Sequence, residues 1–154
     1  IDAGAHLPVV FDPSATPEVA PPAFFREFIL PRLEKLCRAF TAAGAAANWL
    51  HIAGRTDAIL PYYPQAGFAI ANFDYCVSPE AAMAALPHTC LDGNIKPLAF
   101  VEDEPEEIDA ASRKLLDTFA LRGGFILSSG CEIPPEARQE NVAAMVEAAR
   151  ACRS

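Results

Sequence analysis

The feature that most restricts this chain is a rhythm: short apolar runs closed by polar, Gly or Pro punctuation, with longer helical patterns between them. The runs are "LPVVFDP", "ANWLHIA", "GFAIANFD", "HTCLDGN" and "GGFILSS", each short enough for a buried strand and too short for a helix that buries a face. Between them, "PPAFFREFILPRLEKLCRAFTAAG" sets Phe25, Ile29, Leu33, Leu36 and Phe40 at steps of three and four, with Pro31 as a kink or restart. "SPEAAMAAL" opens with a Ser cap and a Pro at the first helical position. "EPEEIDAASRKLLDTFALRGG" has acids at its head, bases near its tail and glycines at its stop, as the helix dipole and a left-handed cap require. "PPEARQENVAAMVEAARAC" is the closing amphipathic helix.

Strands alternating with helices at this spacing build βαβ units, hence parallel strands in an α/β fold. The 154 residues suit one domain, spanning 1–154, and neither repeats nor a linker divide them. Five units are too few to close a (β/α)8 barrel of ~250 residues, so a TIM-barrel part and an open five-stranded sheet both stay open on this pattern alone.

Charge narrows the partners. The net charge of -8 repels phosphate backbones and anionic lipid, and no apolar run reaches the ~18 residues of a membrane span. Neither nucleic acid nor a membrane is therefore an expected partner; a small-molecule substrate or a protein is. The odd number of cysteines, five at irregular spacing, fits reduced thiols in a cytoplasmic protein. Packing accounts for Cys37, Cys90 and Cys152, and His6 and His88 fall at strand entrances as surface residues.

Polar residues collect where the strands end: Asp12, His51, Asp74, Asp92 with Asn94, and Ser128, Ser129 with Cys131. In parallel α/β folds this edge carries the ligand site. Asp12, His51, Asp74 and Asn94 are the catalytic candidates, and Arg55, Asn94 and Ser129 the cofactor contacts. A Cys131–His51 nucleophilic pair is the less supported alternative, since no third group orients it.

The segments "VVFDPSATPEVAPPAFFREFILPRLEKL", "LHIAGR", "LDGNIKPLAF" and "GGFILSSGCEIPPEARQENVAAMVEAAR" resemble the C-terminal half of the uroporphyrinogen decarboxylase superfamily, which includes zinc-dependent corrinoid and coenzyme M methyltransferases. The resemblance implies a (β/α)8 TIM-type barrel of which this chain supplies about the last five βα units. It also implies a small-molecule pocket at the C-terminal edge, and either self-association as a homo-oligomer or a missing N-terminal half to cover the open sheet edge.

Where decarboxylases have a histidine after the last strand, this chain has Cys131, as the methyltransferase branch does. His51 matches the histidine of that branch's His-x-Cys pair, and Ala53 stands in place of the cysteine. A zinc ion with an open position would bind a thiol as thiolate and present it to a methyl group on a corrinoid held by a partner protein. With Ala53 the expected metal ligands are His51 and Cys131, completed by Cys76 or Glu132. The rival is a decayed centre, with His51 a hydrogen-bonded pocket residue and Cys131 a small hydrophobe. The expected activity is metal-dependent methyl transfer to a thiol or related acceptor. The alternatives are a tetrapyrrole decarboxylase and a non-catalytic binding or assembly module.

Overall fold

The computed structural model describes residues 1–152. Each apolar run gives rise to a strand shorter than the run, the fourth extending one residue past its end: β1 (Val9–Phe11), β2 (Trp49–His51), β3 (Ile70–Asn72), β4 (Cys90–Ile95) and β5 (Phe125–Ser129). Helix α1 (Pro22–Phe24) passes through a π-helical turn at Phe25–Ile29 into α2 (Leu30–Ala42). Pro31, which has no N–H to give, sits in the first turn of α2, where that donor is not needed. The proline therefore marks a restart. Further along come α3 (Tyr63–Ala66), α4 (Pro79–Ala85), α5 (Ala99–Glu102), α6 (Pro105–Phe119) and α7 (Gln139–Ala151).

The helix starts use the expected chemistry. Ser78 Oγ accepts from the Ala81 N–H at 3.1 Å ahead of α4. Glu107 Oε2 accepts from the Glu104 N–H at 2.9 Å ahead of α6, the reciprocal half of a capping box.

All strands pair in parallel and in chain order, β1-β2-β3-β4-β5. Each connection thus steps to the adjacent strand in the same direction. Because such crossovers are right-handed, they leave every helix on one face of the sheet. An open doubly wound sheet reverses its strand order to cover both faces, so the barrel-type arrangement is the one present.

Register assigns the two faces. Leu50 pairs with Ala71 and Ala71 with Leu91, all fully buried against the helices, and Leu91 pairs with Phe125. Phe125 stacks on Phe119 of α6 with ring centroids 4.0 Å apart. The alternate positions turn away from the helices. One row there runs Phe11, His51, Asn72, Asp92 and Ile126, with Phe11 49% and Ile126 37% exposed at its ends. This face is the lining of a barrel that these five strands do not close.

Among the cysteines, Cys37 is buried against the core and Cys90 is half-buried on the lining. Cys152, which caps the end of α7, is exposed, so packing does not account for it. His6 and His88 are exposed, as expected. No helix of the described residues is long and apolar enough to cross a membrane.

Candidate active site at the strand exits

His51 ends β2, half-buried, with its ring 4.5 Å from that of Phe11. Its Nε2 is buried and has no hydrogen-bond partner. Burial holds its pKa below the ordinary imidazole value, while the Asp74 and Glu132 carboxylates act in the opposite direction. The exits of β2, β3 and β5 meet at Asp74, which accepts from the Gly54 N–H and whose Oδ1 would lie 2.7 Å from a Cβ on Gly130.

Asp74 organises that edge. Its Oδ2 accepts from the Gly54 N–H and its Oδ1 from the Tyr75 N–H, each at 2.6 Å. Gly54 has φ +90°, and a Cβ there would run into the Glu18 carboxylate and lie 2.8 Å from Thr16 Oγ1. Glu18 Oε2 in turn accepts from the Arg55 N–H at 3.3 Å. Two carboxylates from different loops thus hold the turn after His51 by its backbone.

Asn94 is buried, and its Nδ2 donates to the Val77 carbonyl at 2.9 Å and the Asp74 carbonyl at 3.4 Å. It holds the loop after β3 and also lines a cavity of about 430 Å³ with Lys96, Ile108 and Leu115. That cavity lies between α4 and α6, and His51, Asp92 and Cys131 are not in its wall.

The other candidates divide. Asp12 Oδ1 accepts from the Ser14 N–H and hydroxyl, at 3.2 and 2.6 Å, and so caps the turn after β1. Ser129 Oγ donates to the Cys131 carbonyl and shapes the turn after β5. The Arg55 guanidinium is exposed and makes no ion pair among the described residues, which leaves it available to an anion. Cys131 and Cys76 are half-buried and Glu132 exposed. The neighbouring Cys76 side chain raises the Tyr75 pKa above its ordinary value.

Among the described residues no three His, Cys, Asp or Glu side chains converge so as to hold a metal ion. His51, Cys131, Cys76 and Glu132 therefore do not make up a zinc ligand set as they stand, and Ala53 offers no donor.

Two residues gain weight beyond their sequence pattern. Asn72 on β3 and Asp92 on β4 are register partners, with Asn72 Nδ2 donating to Asp92 Oδ2 at 3.0 Å. Burial raises the Asp92 pKa above the usual carboxylate value, while the neighbouring Asn72 and Ser128 side chains act in the opposite direction. The signal for the pair was a polar residue inside each of two buried apolar runs, "AIANF" and "TCLDG".

The uroporphyrinogen decarboxylase (URO-D) family matches residues 1–152. The chain belongs to this family. The methylcobamide:CoM methyltransferase MtbA of Methanosarcina mazei is 30% identical over 151 residues, covering 97% of this chain and 43% of that protein. The methylcobamide:CoM methyltransferase MtaA of Methanosarcina barkeri is 31% identical, covering 96% and 42%. The uroporphyrinogen decarboxylase of Xanthomonas axonopodis pv. citri is 32% identical, covering 95% and 43%. Among solved structures, a methyltransferase from Methanosarcina mazei superposes with a TM-score of 0.85 at 27% identity, over 99% of this chain and 44% of that one. This URO-D family chain spans less than half the length of these relatives, and it matches part of their fold.

Proposed function

We propose that this chain is the acceptor-side part of a methyltransferase, which takes a methyl group from a corrinoid-bearing partner protein and places it on a thiol or related acceptor. The observation that carries this reading is the meeting of the β2 and β5 exits at Asp74, which accepts from the Gly54 N–H after His51 at 2.6 Å and lies against Gly130 before Cys131. Similarity to the methylcobamide:CoM methyltransferases over nearly the whole chain supports it, as does Cys131 at the position where that branch carries a cysteine.

In this reading His51, held neutral by burial, accepts the thiol proton at Nε2, the atom no protein group engages. The thiolate sulfur then bonds to the methyl carbon. The bond from that carbon to its donor breaks, and the electron pair stays with the donor. Asp74 keeps the Gly54 turn in place behind the imidazole. None of these steps uses a metal ion, for which the described residues assemble no ligand set. The remainder of the barrel comes from a further segment or a second copy, and mass in solution tells which.

The test supplies methylcobalamin and 2-mercaptoethanesulfonate to the protein and follows the cobalamin spectrum and the thioether product. The expected result is thioether formation that falls roughly 10²-fold or more in His51→Ala, the usual weight of a general base. Product at only the uncatalysed rate overturns the reading.

A second reading is tetrapyrrole decarboxylation, favoured by the 32% identity to a uroporphyrinogen decarboxylase. It predicts carboxyl loss from uroporphyrinogen without methylcobalamin. Neither product would leave a binding or assembly role.

A further inference from the structure

We propose that the Asn72–Asp92 pair on the barrel lining is a binding site for an organic cation, an ammonium or guanidinium group. That group belongs either to a small molecule or to a lysine or arginine side chain of the polypeptide that closes the barrel. This is independent of whether a methyl group is transferred.

The two residues are register partners on adjacent strands, 0% and 2% exposed, and on the face turned away from the helices. One contact joins them, Asn72 Nδ2 to Asp92 Oδ2. Asn72 Oδ1 and Asp92 Oδ1 are both buried and have no partner at all. A carboxamide oxygen and a carboxylate oxygen are acceptors, so what completes them is a donor with more than one N–H, and an ammonium or a guanidinium is such a group.

Charge points the same way. Asp74 and Glu132 lie close enough to act on His51 at the same strand exits. The ion pairs of the described residues are Arg38–Glu34, Lys96–Glu102, Arg113–Asp109, Arg138–Glu104 and Arg150–Glu147, and none includes Asp74, Asp92 or Glu132. These three carboxylates therefore carry no ion pair with a lysine or arginine among the described residues. A metal ion does not answer this, because the His, Cys, Asp and Glu side chains do not converge in threes. Directional N–H groups need only the two oxygens present. With no cation, burial keeps Asp92 toward its neutral form.

The protein is titrated with methylguanidinium chloride and with methylammonium chloride, against sodium chloride at equal ionic strength. The Asn72 side-chain amide and Asp92 carboxyl signals are followed by NMR. The expected result is a saturable shift at both residues with at least one probe and not with sodium chloride, and binding at least tenfold weaker in Asp92→Asn. If a polypeptide side chain already fills the site, the Asp92 carboxyl is ionised before any probe is added. In that case lysine or arginine side-chain protons show nuclear Overhauser contacts to Asn72. A saturable shift retained unchanged in Asp92→Asn overturns the proposal, and so does the absence of both a probe-specific shift and such contacts. The wild-type titration stands without the variant.

Discussion

The Gly54 N–H donates to Asp74 Oδ2 at 2.6 Å, and this bond ties the turn after His51 to the neighbouring strand. With Tyr75 N–H on the other oxygen, Asp74 spends both acceptors on backbone. An asparagine has one acceptor and sets its NH₂ against an N–H. Asp74→Asn is expected to lower stability by about 1–3 kcal/mol, measured as a shift in the urea midpoint, and to loosen the His51 turn enough to reduce turnover.

Gly130 stands where β5 gives way to the Cys131 loop. A Cβ there would lie 2.7 Å from Asp74 Oδ1 and 2.7 Å from the Tyr75 backbone nitrogen, and the backbone atom has little room to yield. Gly130→Ala is expected to cost about 1–3 kcal/mol as overpacking. Thermal unfolding reads the loss, and a variant as stable as the parent would show that the two exits are further apart than described here.

The folded protein holds His51 below its ordinary pKa, and burial is the main cause. The unfolded chain therefore binds this proton more readily than the folded one. The contribution of neutral His51 is present above the unfolded value, about 6.5, and is lost as pH falls below it toward the depressed folded value. A stability profile should decline with acid across that window, less steeply in His51→Gln, and the imidazole signal should titrate below pH ~6.5.

Thiol labelling should separate the cysteines by depth. Cys37 is buried, and desolvation pushes its pKa up to about 11, whereas Cys152 is exposed. With iodoacetamide at mildly alkaline pH, mass spectrometry should find Cys152 modified first and Cys37 last. Equal rates would mean that α2 lifts from α3 on the timescale of the reaction.

Much of this arrangement was legible in the residues. Short apolar runs and the Ser78 and Pro79 start located strands and helices because these signals are local. The rim residues His51 and Asp74 were legible because a polar group closing a buried strand has few other uses. Two roles were not. Asp12 and Ser129 share that signature yet cap turns, and only the hydrogen-bond partner distinguishes a cap from a ligand-side group. The Asn72–Asp92 pairing depends on register between strands, which two separate segments do not encode. Strand order was equally hidden in the pattern of runs, and it was the family resemblance that chose the barrel part over the open sheet.

Because β1 and β5 are each bonded on one side only among the described residues, the molecule is an arc with two unfinished rims. Anything that zips onto those rims in the native state, and not in the denatured one, raises the melting point in proportion to the logarithm of its free concentration. Where such a ligand is present, the robustness of this polypeptide is shared with its surroundings, and unfolding temperatures measured at several dilutions separate the chain from the mixture.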